Sequence, residues 1–348
     1  MRIIFGLGHP AHFHLFKYAI RRLQDEGNEV ITVINDKEIL SRLLDDAGLS
    51  YITLTRKSIN DSLLDKVGKL IGAAGKVKRL IKEIKPDILV GCTNEIALAS
   101  FGTGIPVLFF AEDDFRYTWM QGITVYPFVS RIVSPAPVKV GPFRYKKLSY
   151  NGFQKLAYLH PGYFKPDRSK VKLGSNRYFI IRLVGLNAYH DRGKKGMDER
   201  LLPELIKILS PHGDVFISSE KPVDPEYEKL RLPLNPSDIH HYLAYASIFI
   251  SDSQSMTVEA SLLGTPNIRI SDFAGKVSVL EVLEKQYGLT IAFRPDEESK
   301  ILGSVTEMVN DEKLKENHLL KRAAMLEGMI DVTDFTVNLI KETVKKRR

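Results

Sequence analysis

Short apolar runs alternate with amphipathic segments along most of this 348-residue chain. The segments between the runs carry apolar residues three or four positions apart, which is the spacing of one helix face. Continuous apolar strands that alternate with such helices predict a parallel sheet covered on both faces. In the first half the predicted strands are Arg2 to Leu7, Val30 to Ile34, Tyr51 to Leu54, Ile88 to Gly91, Pro106 to Ala111 and Ile132 to Ser134.

The alternation breaks between about 141 and 167, where Gly, Pro and Tyr are frequent, and then resumes. The chain is long enough for two domains, so we predict an α/β protein with two doubly wound, Rossmann-like parallel-sheet domains that face a central cleft. The predicted parts are an N-terminal domain (1–150), a linker (151–167), a C-terminal domain (168–332) and a C-terminal helix (333–348) that packs back on the N-terminal domain. Ligands of such sheets bind beyond the carboxyl ends of the strands.

The composition excludes several classes of protein. Hydrophobic residues make up 44% and charged residues 26% of the chain, as in soluble globular proteins. A single cysteine, Cys92, excludes a disulfide framework and fits a reducing compartment. No apolar stretch approaches the roughly 20 residues that span a bilayer, and the N-terminal run is too short for a signal peptide. We therefore expect a cytoplasmic protein.

The net charge of +8 is partly clustered, above all along one predicted helix between Lys66 and Lys85. A basic surface can meet nucleic acid, anionic lipid or a phosphorylated substrate, or it can be a solvated helix face. No zinc-finger, RNA-recognition or helix-turn-helix motif accompanies the charge, so we expect no nucleic-acid partner. Peripheral contact with an anionic membrane is the expectation that this helix favours.

The stretch from Ser251 to Ile270 is typical of an anion-binding βα unit. An apolar strand precedes a hydroxyl-rich loop, and a helix predicted from Val258 to Leu263 ends at Gly264-Thr265-Pro266. Backbone N–H groups at a helix start, with the positive end of its dipole, favour an anion there. Glu259, one turn into the helix, can accept hydrogen bonds from a ribose diol. The alternative is an ordinary βα unit whose Ser and Asp residues only cap the helix.

Three histidines, His9, His12 and His14, lie in the loop after the first strand. Ala11 stands where a GxGxxG motif would need its third glycine, so a dinucleotide site is not indicated. Imidazole titrates near neutral pH and suits a base that removes a proton from a sugar hydroxyl. Helix capping and core packing are the alternatives. A zinc site lacks a complementary cysteine or carboxylate spacing.

Two further loops follow predicted strands. Glu112, Asp113 and Asp114 are consecutive carboxylates whose mutual repulsion should raise the proton affinity of at least one of them, unless the loop is simply solvated. In the second half, Asn187, His190 and Arg192 offer amide, imidazole and guanidinium groups toward the same cleft. Arg192, Lys194 and Lys195 can neutralise a departing diphosphate without a metal. The alternative for this loop is a flexible basic segment.

Several motifs resemble known families. The pattern of Asp252-Ser253, Glu259-Ala260, Gly264 and Pro266 is similar to the nucleotide-sugar loop of GT-B proteins, namely UDP-N-acetylglucosamine 2-epimerases and the transferase that makes lipid II. The whole chain resembles the family called domain of unknown function 354. The motifs that carry this resemblance are Pro10 to His14, Asn187 to Asp191, Ser219 to Pro222 and Asp252 to Met256.

The resemblance implies roles for individual residues. It places the ribose on Glu259, the phosphates on the loop residues Ser253, Gln254, Ser255, Met256 and Thr257, and a catalytic base at His12. Glu112 matches a catalytic glutamate of the epimerases. The epimerase Gly-Gly pair is Gln254-Ser255 here, and the epimerase aspartate after the fourth strand is missing, because that strand is followed by Cys92-Thr93-Asn94.

The missing aspartate favours glycosyl transfer over epimerisation. We therefore expect a metal-independent GT-B glycosyltransferase that needs no cofactor besides its donor, a nucleotide-diphosphate sugar and above all a UDP-sugar. Its expected acceptor is a surface glycan or a lipid-linked precursor. The donor would bind the C-terminal half, with help from Asn187, His190 and Arg192, and the acceptor would meet His12, His14 and Glu112. The alternatives are a nucleotide-sugar 2-epimerase and a non-catalytic nucleotide-sugar-binding protein.

Overall fold

A computed structural model describes residues 1–36, 38–56, 63–184, 197, 200–219 and 222–347. The chain forms two compact units, the first made of Met1–His160 with Ile330–Arg348 and the second of Pro161–Met329. No helix in the described ranges is both long enough and apolar enough to cross a membrane.

The first unit is built on a seven-stranded, fully parallel sheet with strand order β3-β2-β1-β4-β5-β6-β7. Its strands are β1 (Arg2–Leu7), β2 (Glu29–Asp36), β3 (Ile52–Arg56), β4 (Ile88–Gly91), β5 (Val107–Phe110), β6 (Arg131–Pro135) and β7 (Lys147–Tyr150). Strands β4 and β5 are buried along their whole length, as their uninterrupted apolar sequences predict. The sheet confirms the predicted α/β class, and β7 is a strand that the apolar pattern did not reveal.

The helices of the first unit form two groups. One group, in which each helix contacts the other two, contains α1 (Pro10–Asp25), α6 (Leu156–Leu159) and α13 (Val332–Lys345). The second contains α3 (Leu63–Ile84), α4 (Asn94–Ser100) and α5 (Trp119–Val125), while α2 (Glu38–Asp46) contacts α1.

The bounds of the units differ from the predicted domains at residues 151–160. Phe153 and the four residues of α6 are buried, so this segment is part of the first core although it lacks a regular apolar period. The C-terminal helix α13 is fixed to the same segment, because Thr333 donates a hydrogen bond to the carbonyl of Ala157 over 2.8 Å. Arg22 of α1 pairs with Asp334 at 2.8 Å. The first unit therefore continues to His160, and the second begins at Pro161.

The second unit has a five-stranded parallel sheet with order β12-β11-β10-β8-β9. Its strands are β8 (Tyr178–Leu183), β9 (Asp214–Ser219), β10 (Ile248–Ser251), β11 (Asn267–Ile270) and β12 (Ile291–Phe293). Its helices are α7 (Leu201–Leu209), α8 (Ile239–Tyr245), α9 (Gln254–Leu262), α10 (Ser278–Glu281), which continues as a π-helix at Val282–Gln286, α11 (Glu298–Asn310) and α12 (Leu314–Glu327). Helices α7 and α11 pack on one core with β8, β9, β10 and β11.

Candidate functional site

Helix α9 begins at the carboxyl end of β10 and earlier than the sequence pattern predicts. The predicted start was Val258, but Ser253 is the N-cap: its side chain accepts a hydrogen bond from the N–H of Met256 at 3.3 Å. Its carbonyl also accepts from the N–H of Thr257 at 3.1 Å. Serine is among the preferred N-cap residues, and here it lengthens the helix by one turn. The predicted phosphate loop is therefore the cap and first turn of a helix.

This first turn presents groups that suit an anion. The N–H groups of Gln254 and Ser255 occupy the first two helical positions, which have no acceptor within the helix. Ser255 is exposed, and Ser253, Gln254 and Met256 are half-buried. Thr257 is different, because it is fully buried and its hydroxyl donates to the carbonyl of Ser253 at 2.7 Å. The structure therefore removes the Thr257 side chain from the predicted anion-binding set.

Glu259 lies in the second turn of α9 and faces a histidine. Its Oε1 is 3.4 Å from Nε2 of His240, and the two side chains are 11% and 7% exposed. A buried carboxylate needs a polar partner, and His240 supplies one from the first turn of α8. The contact fixes the orientation of the carboxyl group that the sequence assigned to a ribose.

Aromatic packing supports this histidine. The ring of Phe164 lies edge-on to His240 at 6.0 Å between centroids and at 4.8 Å from the ring of His241. Nδ1 of His241 accepts a hydrogen bond from the N–H of Asp167 at 3.0 Å. Sequence reasoning missed these residues, although two adjacent histidines in a predicted helix just before an apolar strand were a usable signal.

Asp252 lies immediately before the cap of α9 and is 6% exposed. Its Oδ1 accepts from the N–H of Val184 at 2.9 Å, and its Oδ2 accepts from the N–H of Met197 at 3.4 Å. Burial raises the pKa of this carboxyl to about 6, although both hydrogen bonds and the charge of Arg182 act in the opposite direction. Asp252 thus ties the end of β8 to Met197 beside the helix N-terminus.

Three predicted donor-binding residues, Asn187, His190 and Arg192, lie outside the residues that the structure describes. The same holds for two residues of the Ser219 to Pro222 motif, Glu220 and Lys221. Their roles stay predictions.

In the first unit, the histidine loop forms the start of α1. His9 is the N-cap, with its Nδ1 accepting from the N–H of Ala11 at 3.1 Å. Nδ1 of His12 accepts from the N–H of Gly8 at 3.1 Å. Because Nδ1 accepts, the neutral imidazole of His12 carries its proton on Nε2, where it is a donor. In this tautomer Nε2 is a donor, and the predicted role of His12 as a base stays a prediction.

His14 packs among aromatic rings one turn into α1. Its ring is 5.1 Å from that of Tyr158 in α6 and 5.2 Å from that of Phe13. The ammonium of Lys17 lies over the rings of Phe13 and Tyr158, and burial lowers its pKa to about 8. Among the described residues, no group of three His, Cys, Asp or Glu side chains is arranged to hold a metal ion.

The acidic loop after β5 does not gather its three carboxylates at one point. Glu112 forms an ion pair with Lys155, in which the side chains are 18% and 6% exposed. Asp114 is buried and accepts a hydrogen bond from the N–H of Lys139 at 2.9 Å, whereas Asp113 is exposed. Glu112 and Asp114 therefore have separate partners and Asp113 is exposed, so the three carboxylates do not form the predicted repulsive cluster. Lys155 was missed because it lies in the stretch that was predicted as a linker.

Comparison with known sequences assigns a family. The family described as protein of unknown function (DUF354) matches residues 1–345. The chain belongs to this family. An uncharacterized protein of Methanocaldococcus jannaschii is 22% identical over 277 residues, covering 75% of this chain and 79% of that protein.

A second relative has an assigned activity. It is the UDP-N-acetylglucosamine–N-acetylmuramyl-(pentapeptide) pyrophosphoryl-undecaprenol N-acetylglucosamine transferase of Lacticaseibacillus casei. It is 30% identical over 95 residues, which is 26% of each chain. The match is therefore confined to about a quarter of either protein.

Solved structures share the fold over nearly the whole DUF354 chain. MnaA from S. aureus, solved as a co-structure with UDP, gives a TM-score of 0.71 at 14% identity and covers 99% of this chain and 97% of that chain. Spinosyn forosaminyltransferase SpnP gives a TM-score of 0.67 at 16% identity, and the match covers 99% of both chains. UDP-GlcNAc 2-epimerase from Neisseria meningitidis, bound to UDP-GlcNAc, gives a TM-score of 0.64 at 15% identity. The match covers 99% of this chain and 100% of that chain. The fold is that of GT-B glycosyltransferases and UDP-GlcNAc 2-epimerases.

The buried carboxyl of Asp252 predicts a pH dependence of stability. The folded protein holds this proton up to a pKa of about 6, above the ordinary value of 3.8, so deprotonation destabilises the folded state. Between about pH 4 and pH 7 the wild type should lose about 3 kcal/mol of unfolding free energy relative to Asp252→Asn. Urea unfolding across this range measures the difference.

The matched control is Asp214→Asn, which removes an exposed carboxyl at the start of β9. Its unfolding free energy should follow the wild type at every pH. A constant difference between the wild type and Asp252→Asn would contradict the buried, protonated state.

Proposed function

We propose that this protein is a GT-B glycosyltransferase that uses a nucleotide-diphosphate sugar, with UDP as the nucleotide. The observation that carries the proposal is the N-terminus of α9, where a serine cap and two helical N–H groups adjoin the buried Glu259–His240 pair. The helix end suits a diphosphate, and a fixed carboxylate suits the ribose hydroxyls. The MnaA co-structure with UDP and the 2-epimerase bound to UDP-GlcNAc support a UDP-sugar on this fold.

The donor is held without glycines. Gln254 and Ser255 stand at the helix start, so the diphosphate relies on their N–H groups, on the exposed hydroxyl of Ser255 and on the helix dipole. His240 keeps the carboxylate of Glu259 oriented toward the ribose. No resident cofactor or metal enters the proposed reaction, and the leaving diphosphate is stabilised by hydrogen-bond donors and cationic side chains.

The acceptor binds the first unit, at the carboxyl edge of its sheet. Glu112, at the end of β5, accepts the proton of the acceptor hydroxyl. His12 donates a hydrogen bond from Nε2, because its Nδ1 is engaged by the N–H of Gly8. His14 helps to shape the site through its packing on Tyr158. The acceptor is a surface glycan or a lipid-linked precursor on the cytoplasmic side of the membrane.

A neighbouring surface of the first unit suits contact with a membrane. Five large apolar side chains, here called the apolar surface, are between 36% and 66% exposed: Phe101, Trp119, Met120, Ile123 and Phe128. The rings of Phe101 and Phe128 are 5.4 Å apart, and the ammonium of Lys78 in the basic helix α3 donates to the carbonyl of Phe101 at 3.4 Å. Apolar side chains beside exposed lysines match the chemistry of an anionic lipid surface.

Nucleotide-sugar binding is tested by thermal unfolding with UDP-, GDP-, CMP- and dTDP-sugars. A ligand at a hundred times its dissociation constant adds about 2.7 kcal/mol of apparent stability. We expect a UDP-sugar to raise the Tm, and Glu259→Ala to abolish the shift. Glu327→Ala, an exposed glutamate of α12 in the same unit, is the control and should keep it.

The thermal unfolding screen and an assay of reaction products together separate the alternatives. No response to any of the sugars would contradict the proposal. Formation of a C2 epimer from UDP-GlcNAc without an acceptor would show that the protein is an epimerase and would contradict the transferase proposal.

The roles of His12 and Glu112 predict different responses to conservative changes. Gln at position 12 keeps an N–H donor but is no base, so His12→Gln should retain kcat within about tenfold while His12→Ala loses more. Loss of the proton acceptor in Glu112→Gln should lower kcat by about a hundredfold. The measurement is UDP release from the sugar nucleotide that stabilises the protein. Equal losses of kcat in His12→Gln and His12→Ala would contradict the donor role and favour His12 as the base.

Membrane contact is tested by sedimentation with vesicles of phosphatidylglycerol and phosphatidylcholine. Trp119→Ser combined with Ile123→Ser should weaken binding at least about tenfold, because each inserted side chain contributes roughly 1.5 kcal/mol. Leu320→Ser removes a side chain that is 64% exposed in the second unit and is the control. Unchanged binding of the double variant, or equal binding to pure phosphatidylcholine, would exclude the apolar surface as a docking site for anionic membranes.

A further inference from the structure

Lys155 is a buried cation at the carboxyl edge of the first sheet. It precedes α6 directly, is 5% exposed and donates a hydrogen bond to Oε2 of Glu112, which lies 43 positions earlier in the chain. An isolated buried ammonium is strongly destabilising, and so is an isolated buried carboxylate. The two groups therefore stabilise each other as a pair.

Two neutral groups border this pair. Cys92 follows β4, and Tyr150 is the last residue of β7. Burial raises the pKa of both, and the Glu112 carboxylate raises them further, while the Lys155 ammonium acts in the opposite direction on Cys92. Tyr150 is 4% exposed, and its hydroxyl has no hydrogen-bond partner among the described residues. The thiol and the phenol thus stay protonated beside one carboxylate and one ammonium.

The charge of Lys155 decides what Glu112 can do. In a buried site without a cation, a carboxyl group tends to take up a proton and becomes a hydrogen-bond donor. Beside an ammonium, it stays an acceptor with one oxygen held in place. Glu112 can accept a proton from a ligand hydroxyl only in this ionised state.

We propose that Lys155 is the positioning residue of this site, which fixes Glu112 as an ionised acceptor near Cys92 and Tyr150. The inference rests on the proposed role of Glu112 and adds the residue that makes this role possible. Lys155 acts through Glu112 and touches no reacting atom itself.

Cys92 is a built-in probe of these charges, because it is the only cysteine of the chain and is partly accessible. Iodoacetamide alkylates the thiolate, with formation of a C–S bond and loss of iodide, so its rate at fixed pH follows the thiolate fraction. At about pH 9, Glu112→Gln should raise the rate at least about threefold, because it leaves the Lys155 ammonium unopposed. In Lys155→Met, Glu112 loses its cation and takes up a proton, so the rate should stay within about twofold of that of the wild type. Mass spectrometry of the purified full chain measures both rates.

The control is Asp113→Asn, which removes the exposed carboxylate next to Glu112 and should leave the rate unchanged. The double variant Glu112→Gln with Lys155→Met leaves no unpaired charge, so its alkylation rate should return toward that of the wild type. Its Tm should exceed that of either single variant. This stability comparison stays decisive if a single variant folds poorly.

The proposal is overturned if Glu112→Gln leaves the rate unchanged, or if Lys155→Met lowers it at least about threefold, as a carboxylate that stays ionised without its lysine would do. It is also overturned if the double variant is less stable than both single variants. The alkylation needs no nucleotide sugar. A failed screen for donors would therefore contradict the proposed function and leave this result intact, whereas a contrary alkylation result would refute the role of Lys155 and leave the donor site intact.

Discussion

Burial of both faces of the central strands of each parallel sheet is the constraint on which the rest of the structure depends. Strands such as β4 and β5 have no side chain in contact with water, so their polar functions must lie beyond their ends. In each unit the polar groups of the candidate site follow the carboxyl ends of strands. Glu112 follows β5 in the first unit, and Ser253 follows β10 in the second. Helices that cover the sheets supply the partners of these groups.

Both candidate sites use a carboxylate that is largely shielded from water and lies against a nitrogen partner. Glu259 faces His240 at 3.4 Å, and Glu112 is paired with Lys155. The two partners differ in physical effect, because a histidine is charged only when protonated whereas a lysine ammonium is a permanent charge under ordinary conditions. A hydrogen-bonding carboxylate for ribose and an ionised acceptor for a hydroxyl are the chemistries that these partners favour. The proposed glycosyl transfer assigns recognition of the donor to the site in the second unit and proton transfer to the site in the first.

Much of the fold followed from periodicity alone, because burial imposes a spacing on every covered helix and an uninterrupted apolar run on every covered strand. The sequence pattern did not predict strand β7 or the buried segment 151–160, because neither has a regular apolar pattern. Strand β7 is half-buried, and Phe153 and Leu156 are buried by contacts that leave no regular period in the sequence. At the start of α9 the sequence showed the right residues, but the cap position of Ser253 depends on hydrogen bonds to Met256 and Thr257 that only coordinates reveal.

The sequence by itself determined the α/β class, the parallel sheets, the DUF354 motifs and the carboxylates Glu112 and Glu259. All of these depend on local patterns or on short motifs with fixed spacing. The tertiary structure decided which groups these carboxylates meet, since Lys155 is 43 positions from Glu112 along the chain. It also decided the tautomer of His12 through the N–H of Gly8, and it gave Glu112 and Asp114 separate partners while Asp113 is exposed. Charge, orientation and protonation depend on neighbours in space, and these neighbours are set by packing.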